Sequence, residues 1–140
     1  MSKVLVFAET SNNKIKSVTY EILNRLQDLD CDVVSIGKLN DEDVKKLSSY
    51  NVKNTTLIEG DELDNYSAEM YSNALSSFLK DNKYDYVLTG ATSSGKDFFP
   101  RLASTLNTGV ASDVTDISVK DGQVFGTKPF YAGKCLADFE

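Results

Sequence analysis

Apolar residues along most of the chain alternate between two spacings, one typical of buried strands and one typical of amphipathic helices. The run KVLVFAE (3–9) is continuously apolar and rich in β-branched residues, which predicts a parallel strand buried on both faces. A polar loop, TSNNK (10–14), follows this run. After the loop, apolar residues recur three or four positions apart and predict one face of a helix: Ile15, Val18, Ile22, Leu26 and Leu29.

The same alternation continues to residue 106. Strands are predicted at DVVSIG (32–37), NTTLIEG (54–60) and YDYVLTG (84–90). The segment NDEDVKKLSSY (40–50) begins with capping and acidic residues and continues with lysines, so we expect a short helix oriented favourably for its dipole. Ser67 is the expected N-cap of a further helix, whose buried stripe would be Met70, Ala74, Leu75, Phe78 and Leu79. A last helix is expected to bury Phe98, Phe99, Leu102, Ala103 and Leu106.

The pattern changes after Gly109, where no helical period remains. Short strands are expected there, with Asp121-Gly122 as a hairpin turn. Strand–helix alternation predicts a parallel sheet wrapped by helices, and the tail would add antiparallel strands. The predicted fold is therefore a three-layer αβα domain over residues 1–140, with a mostly parallel twisted sheet and helices on both faces.

Charge and composition exclude several classes of function. The 140 residues carry a formal net charge of −6, which argues against a nucleic-acid surface because such a surface must neutralise phosphates. No apolar run is long enough to cross a membrane, and the polar start argues against a secretion signal, so a cytoplasmic protein is expected. The sequence contains no histidine, which excludes Ser-His-Asp and Cys-His catalysis.

Residues 90–97, GATSSGKD, match a phosphate-binding P-loop except at the last position, where Asp97 replaces Ser or Thr. A carboxylate about 4 Å from a phosphate would repel it by about 4 kcal/mol before screening. We therefore interpret the segment as a strand-to-helix turn, with Asp97 as N-cap and Pro100 in the first helical turn. It remains a weak candidate for an anion or partner loop through Gly90, Ser93, Ser94, Gly95, Lys96 and Arg101.

This loop and the loop after the first strand, ETSNNK (9–14), should both lie at the carboxyl edge of the sheet, where ligands collect in such folds. Other candidates have simpler structural interpretations. Asp113 and Asp116 are too few for a firm cation site, and Cys31 has no nearby base or second thiol in the sequence. Four aromatic residues at strand ends are expected in the core or at an interface rather than stacked on a bound ring: Tyr84, Tyr86, Phe130 and Tyr131. No catalytic or metal-binding residue is predicted.

Four segments together resemble the N-terminal domain of the electron transfer flavoprotein α subunit: VLVFAE (4–9), GATSSGKDFFPRLASTL (90–106), GVASDVTDI (109–117) and YAG (131–133). The resemblance implies an adenine-nucleotide α-hydrolase-like fold that binds a β subunit and supports a mobile FAD domain. It implies no catalytic residue in this domain and no nucleotide in its loop. The intact protein would relay electrons from flavin dehydrogenases to an acceptor.

In the family, FAD is held mainly by the C-terminal domain of the α subunit, and no segment resembling that domain occurs in the 140 residues. We therefore expect a fragment that holds no flavin, with a naturally short homologue as the alternative. Thr10 and Lys134 stand where the family commonly has His and Asn. The fragment is also expected to self-associate through an unpaired final strand in the tail, Val110–Glu140. Two other functions remain open: a free-standing nucleotide-binding module resembling universal stress proteins, and a P-loop NTPase.

Overall fold

The computed structural model describes residues 4–27, 29–60, 63, 65–82, 84, 86–90, 93–106, 109–114, 116–120, 123–127 and 134–138. For residues 93–96 and for the strands after residue 106, the description covers the backbone alone. The strands are β1 (Val4–Phe7), β2 (Thr10–Ser11), β3 (Lys14–Ile15), β4 (Cys31–Ile36), β5 (Val52–Ile58), β6 (Tyr86–Gly90), β7 (Gly109–Val114), β8 (Asp116–Lys120), β9 (Gln123–Thr127) and β10 (Lys134–Asp138). The helices are α1 (Ser17–Arg25), α2 (Asp41–Leu47), α3 (Ala68–Asp81) and α4 (Ser93–Thr105).

One six-stranded sheet organises the chain, in the order β5-β4-β1-β6-β10-β7. Its first four strands are parallel, and β10 pairs antiparallel to both β6 and β7. The chain builds outward from β1 to β5 and then returns to place β6 on the other side of β1. Strand order therefore reverses between β1 and β6, which is the point where α/β sheets form a crevice.

Alternate residues of β1 point to opposite faces of the sheet and enter two separate cores. Val4 and Val6 pack with α1 residues such as Ile22 and Leu23. Leu5 and Phe7 belong to the second core, which is supplied by α3 and α4: Leu75, Leu79, Phe98, Phe99 and Leu102. Burial on both faces explains why β1 is continuously apolar, and the predicted αβα layers are confirmed.

The tail is strand-rich as predicted. Strands β8 and β9 pair antiparallel, with Lys120 opposite Gln123, while the predicted turn at Asp121-Gly122 lies outside the described residues. Strand β10 lies between β6 and β7. The expectation that the final strand forms an unpaired edge is therefore wrong, because β10 has a neighbour on each side. No helix among the described residues is long and apolar enough to cross a membrane.

Helices α1 and α3 differ in detail from the sequence predictions. Helix α1 is shorter than the periodicity suggested, because Ile15 belongs to β3 and the helix ends before Leu26. Helix α3 begins after Ser67, whose hydroxyl accepts a hydrogen bond from the Met70 N–H as predicted. Met70 itself is 40% exposed, so its predicted place in the buried stripe is wrong. Apolar periodicity alone could not show that the buried face of α3 includes Ser72 and Ser76 and leaves Met70 exposed.

Helix α4 begins at Ser93, so Asp97 lies inside the helix and is not its N-cap. Pro100 likewise lies in the helix interior and not in the first turn. A proline there cannot donate to the carbonyl four residues earlier. The glycine and serines before Asp97 are helical in backbone conformation, which the sequence interpretation assigned to a loop. Both predictions placed the helix start about one turn too late.

Candidate functional site

A small pocket lies beyond the carboxyl ends of β1 and β4, beside the point where strand order reverses. Its volume is about 100 Å³. We call it the tyrosine pocket, and it is lined by Phe7, Glu9, Thr10, Ser11, Lys16, Ile36, Tyr66 and Tyr71. The loop after β1 was expected at this edge of the sheet. The two tyrosines come from outside the segments that the sequence singled out.

Three aromatic rings form one side of the tyrosine pocket. The Phe7 and Tyr71 ring centroids are 6.3 Å apart at 63°, and those of Tyr71 and Tyr66 are 4.9 Å apart at 82°. Phe98 from α4 supports the group edge-on, 5.1 Å from Phe7 and 5.9 Å from Tyr71. Edge-to-face rings of this kind are favourable contacts. Packing between β1, α3 and α4 therefore fixes the aromatic wall.

Glu9 and Lys16 supply the charges that line the tyrosine pocket. Glu9 is only 7% exposed, and its Oε2 lies 2.9 Å from the Lys16 Nζ. The backbone adds a second link, because the Lys16 N–H donates to the Glu9 carbonyl at 2.9 Å. The negative charge of Glu9 reaches both tyrosines. Burial first, and then that charge, raises the pKa of Tyr71 above its usual value.

A tight hairpin, β2–β3, joins Glu9 to Lys16. Asn12 and Asn13 both have left-handed backbone angles, with φ of 54° and 64°, the conformation that two-residue hairpin turns require and that asparagine tolerates. The Asn40 N–H donates to the Asn13 carbonyl at 3.3 Å, and Asp43 accepts from the Ile15 N–H at 3.0 Å. Helix α2 thus fixes the hairpin that carries Thr10 and Ser11 into the pocket.

Asp97 reaches the pocket from α4. Its Oδ2 accepts a hydrogen bond from the Tyr66 hydroxyl at 2.8 Å. The pKa of Tyr66 is raised by burial first, and then by this hydrogen bond and by the charges of Asp97 and Glu9. The residue that breaks the P-loop pattern therefore holds a pocket tyrosine in place.

Gly90 ends β6 and packs closely against α1. A Cβ atom at this position would collide with the Cγ1 of Val18. This close approach gives the first glycine of the GATSSGKD segment a packing role. Arg101 is exposed on α4, and the side chains of Ser93, Ser94 and Lys96 lie outside the description. The anion or partner role predicted for this loop stays a prediction.

Three other residues that the sequence singled out have structural surroundings: Tyr84, Tyr86 and Cys31. The Tyr84 hydroxyl donates to Asp32 at 2.7 Å, and Tyr86 is buried in the first core. Cys31 is buried at the start of β4. Burial first, and then the charges of Asp32 and Asp30, raises the pKa of the Cys31 thiol to about 12.

Four candidates lie where less is described. Phe130 and Tyr131 lie outside the described residues. Asp113 and Asp116 lie in β7 and β8, whose side chains are not described. Among the described residues, no group of three or more Cys, Asp or Glu side chains could hold a metal ion.

The tyrosine pocket is poorly suited to a flavin or a nucleotide. Ligand pockets usually measure about 300–1,000 Å³, several times the volume found here. A phosphate would also meet the carboxylate of Glu9, whose charge is buried and therefore weakly screened. The pocket fits a ligand of a few heavy atoms, such as a single functional group.

Sequence comparisons identify relatives over nearly the whole chain. The family model described as "Electron transfer flavoprotein domain" matches residues 4–140. The electron transfer flavoprotein subunit alpha of Bacillus subtilis (strain 168) is 33% identical over 138 residues, which cover 96% of this chain and 42% of that protein. The corresponding subunit of Thermoanaerobacterium thermosaccharolyticum is also 33% identical, over 141 residues, which cover 96% of this chain and 43% of that protein.

A more distant relative carries a different description. The lactate dehydrogenase (NAD(+),ferredoxin) subunit LctC of Acetobacterium woodii is 25% identical over 141 residues, covering 96% of this chain and 34% of that protein. Among solved structures, HddC from Yersinia pseudotuberculosis aligns over 99% of this chain and 77% of that chain at 10% identity. Its TM-score is 0.43, a likeness too weak to guide an argument.

The chain spans less than half the length of the first two relatives, 42% and 43%. The family match nevertheless includes all of the segments that suggested the resemblance, from the first strand to residues 131–133. Both the sequence match and the αβα architecture agree with the expectation drawn from those segments. The chain therefore belongs to the electron transfer flavoprotein domain family, with α subunits among its relatives.

Proposed function

We propose that this chain is the N-terminal domain of an electron transfer flavoprotein α subunit and that its role is architectural. It binds the β subunit and supports the domain that holds FAD, while the intact protein relays electrons from flavin dehydrogenases to an acceptor. The observation that carries the proposal is the family match over residues 4–140. The α-subunit relatives that share this segment are more than twice as long as the chain.

The geometry of the tyrosine pocket supports a role without nucleotide chemistry. Nucleotide-binding sheets of this kind place phosphates where strand order reverses, against backbone N–H groups. The tyrosine pocket lies beside that position, at the ends of β1 and β4, and the buried carboxylate of Glu9 lines it. At about 100 Å³, the tyrosine pocket is also smaller than the roughly 300–1,000 Å³ of usual ligand pockets. These features favour a domain that recognises a partner.

The free-standing nucleotide module is not favoured, because the family match names the electron transfer flavoprotein domain over nearly the whole chain. The P-loop NTPase is also disfavoured. Gly90 packs against Val18, and Asp97 bonds to Tyr66 where a hydroxyl ligand for Mg²⁺ would be needed. A cytoplasmic location and the absence of catalysis in this domain remain parts of the proposal.

Co-purification with a matching β subunit tests the proposal. The chain is expressed with a tagged β subunit, and an unrelated αβα domain of similar size and charge is expressed in parallel as the control. We expect a one-to-one complex with this chain and none with the control domain. A chain that ignores the β subunit and instead retains AMP or ATP after purification would establish the nucleotide-module alternative.

Self-association of the chain is a secondary part of the proposal. The strand order moves its expected contact from the final strand to the edges of the sheet. The edges of the described sheet are β5 and β7, not β10. Strand edges present unpaired N–H and C=O groups that invite pairing with another chain. Sedimentation velocity over a range of concentrations tests this, and a strict monomer at high concentration would contradict it.

A further inference from the structure

Two carboxylates act on the tyrosines of the tyrosine pocket. Glu9 lines the pocket, where its carboxylate meets the ammonium group of Lys16. Asp97 accepts the hydrogen bond of the Tyr66 hydroxyl. Glu9 is almost completely removed from water, so its field is screened less than that of a surface acid. That field extends across the pocket, because the charge of Glu9 acts on both Tyr66 and Tyr71.

The aromatic wall adds to the attraction for a cation. Tyr71 lies between Phe7 and Tyr66, and each adjacent pair of rings is inclined by more than 60°. The three rings therefore present faces and edges at different angles around a small volume. The face of an aromatic ring attracts a nearby cation, and groups of such rings are used to recognise substituted ammonium ions. Tyr66 is 41% exposed, so a ligand from solvent can reach it.

Size restricts the class of ligand. The tyrosine pocket, at about 100 Å³, is smaller than usual ligand pockets of about 300–1,000 Å³. This favours a small group, such as a single guanidinium or a short alkylammonium group. Because such a group can stack on a ring and also donate hydrogen bonds to a carboxylate, it satisfies both the aromatic wall and Glu9.

Lys16 already places an ammonium group on Glu9, at 2.9 Å. With 40% of its side chain exposed, Lys16 can move into solvent when another cation arrives. We propose that the tyrosine pocket binds the guanidinium or alkylammonium group of a ligand, in competition with the ammonium group of Lys16. Lys16 therefore weakens ligand binding in the native chain, and Glu9 provides the attraction.

Titration with methylguanidinium chloride, followed by amide chemical shifts in two-dimensional NMR of the 140-residue chain, tests the proposal directly. We expect saturable shifts confined to residues around the tyrosine pocket. Lys16→Met should tighten binding by roughly tenfold, because it removes one charge-assisted competitor from Glu9. Lys14→Met is the matched control, since Lys14 is an exposed lysine on the same hairpin, and it should leave the affinity unchanged.

Two further variants test the attractive groups. Glu9→Gln should weaken methylguanidinium binding at least fivefold. Because Glu9 is buried, this variant must show a native-like spectrum before its affinity is interpreted. Tyr66→Leu provides a second measurement at a partly exposed position and should weaken binding through the lost ring face. Tyr66→Phe keeps that face and should retain most of the affinity.

The opposite charge preference would overturn the proposal. Inorganic phosphate is titrated in parallel, and phosphate shifts that disappear in Lys16→Met would identify an anion site. The proposal also fails if methylguanidinium causes no local shifts in Lys16→Met, the variant with the strongest expected binding. Equal affinities for Lys16→Met and Lys14→Met would contradict the competition.

The cation has two sources, a free small molecule or an arginine or lysine side chain of a protein partner. With a net charge of −6, the chain attracts cationic partners electrostatically. If methylguanidinium displaces a bound β subunit from the Lys16→Met chain, the group comes from that partner. If the β subunit stays bound, the source is a free cation. Only this last step rests on the proposed function, so failure to bind a β subunit leaves the methylguanidinium result unaffected.

Discussion

Asp43 shows how one buried carboxylate can connect three elements. It lies in the first turn of α2, accepts from the Ile15 N–H at 3.0 Å and accepts from the Tyr20 hydroxyl at 2.6 Å. The Asn40 side chain caps the same turn by accepting from the Asp43 N–H at 2.7 Å. The sequence predicted an acidic helix start but did not distinguish Asp43 from its acidic neighbours. In the structure, Asp43 differs from those neighbours because it accepts hydrogen bonds from β3 and α1.

Asp43→Ala is expected to lower the free energy of unfolding by about 2–4 kcal/mol, because it leaves a buried N–H and a buried hydroxyl without their acceptor. Asp41→Ala is the matched control, since Asp41 is an exposed acid in the same helical turn. It should cost less than about 1 kcal/mol. Urea denaturation followed by circular dichroism measures both changes. Equal losses would mean that the helix dipole, and not the buried hydrogen bonds, gives Asp43 its importance.

Cys31 is expected to resist thiol reagents while the chain is folded. The thiolate is the reactive form, and a pKa of about 12 keeps the thiol protonated at pH 8, while burial also blocks access. In a Cys135→Ser background, we expect labelling at pH 8 only after denaturant is added. Rapid labelling of the native chain, at the rate of the unfolded chain, would show that the start of β4 opens to solvent.

At the scale of elements, the contact between β6 and α1 explains Gly90. The end of a parallel strand and the helix after β1 approach closely enough that Val18 occupies the space of a Cβ atom. The two glycines of the GATSSGKD segment looked alike in the sequence, both as parts of a phosphate loop. The structure separates them, because Gly90 ends a strand and Gly95 lies within α4.

Gly90→Ala should therefore destabilise the chain by about 1–3 kcal/mol through overpacking. Val18→Ala removes the colliding methyl groups, so the double variant Gly90→Ala/Val18→Ala should recover at least half of that loss. Thermal denaturation of the two single variants and the double variant measures the coupling. Simple addition of the two single losses would show that the glycine is needed for another reason, such as ligand contact.

Helix α4 leads to a second prediction at this scale. Asp97→Ser restores the letters of a P-loop, yet it should produce no Mg-ATP hydrolysis because Gly90 is committed to packing and the helix already begins at Ser93. The measurement is phosphate release with and without Mg²⁺, with Tyr66→Phe as a control that breaks the same hydrogen bond without adding a hydroxyl to α4. Hydrolysis by the Ser variant alone would mean that the segment cradles phosphate.

At the scale of the whole molecule, the chain is organised around one six-stranded sheet. Its two cores lie on opposite faces of one sheet. Relatives that match it are more than twice as long, and the tyrosine pocket is too small for a flavin. Under the proposed function, the flavin is bound outside these 140 residues.

The purified 140-residue chain is accordingly expected to be colourless. Expressed within a subunit as long as its α-subunit relatives, together with a β subunit, it should be recovered with bound flavin. Visible absorbance spectra of the two preparations, normalised to protein concentration, provide the comparison. A stoichiometric flavin spectrum from the short chain would contradict the proposal that FAD is held outside these 140 residues.

The sequence by itself determined the order and type of most elements and the family. The reason is that burial on both sides of a parallel strand, and on one side of a helix, is encoded by local periodicity in segments such as 3–9 and 84–90. Capping at Ser67 and at Asn40 is similarly local, since each cap contacts an N–H three residues away. These features could be predicted without any knowledge of distant contacts.

Only the tertiary structure decided the start of α4, the interior position of β10 and the composition of the tyrosine pocket. Each depends on residues far apart in the sequence: Tyr66 meets Asp97 across 31 positions, and Ile15 meets Asp43 across 28. The local pattern predicted Asp97 as a helix cap, whereas in the structure it accepts a hydrogen bond from Tyr66, a residue that lines the pocket. Periodicity reports which side of an element is buried, but it does not report which side chains meet there, because that depends on how the crossovers bring the strand ends together.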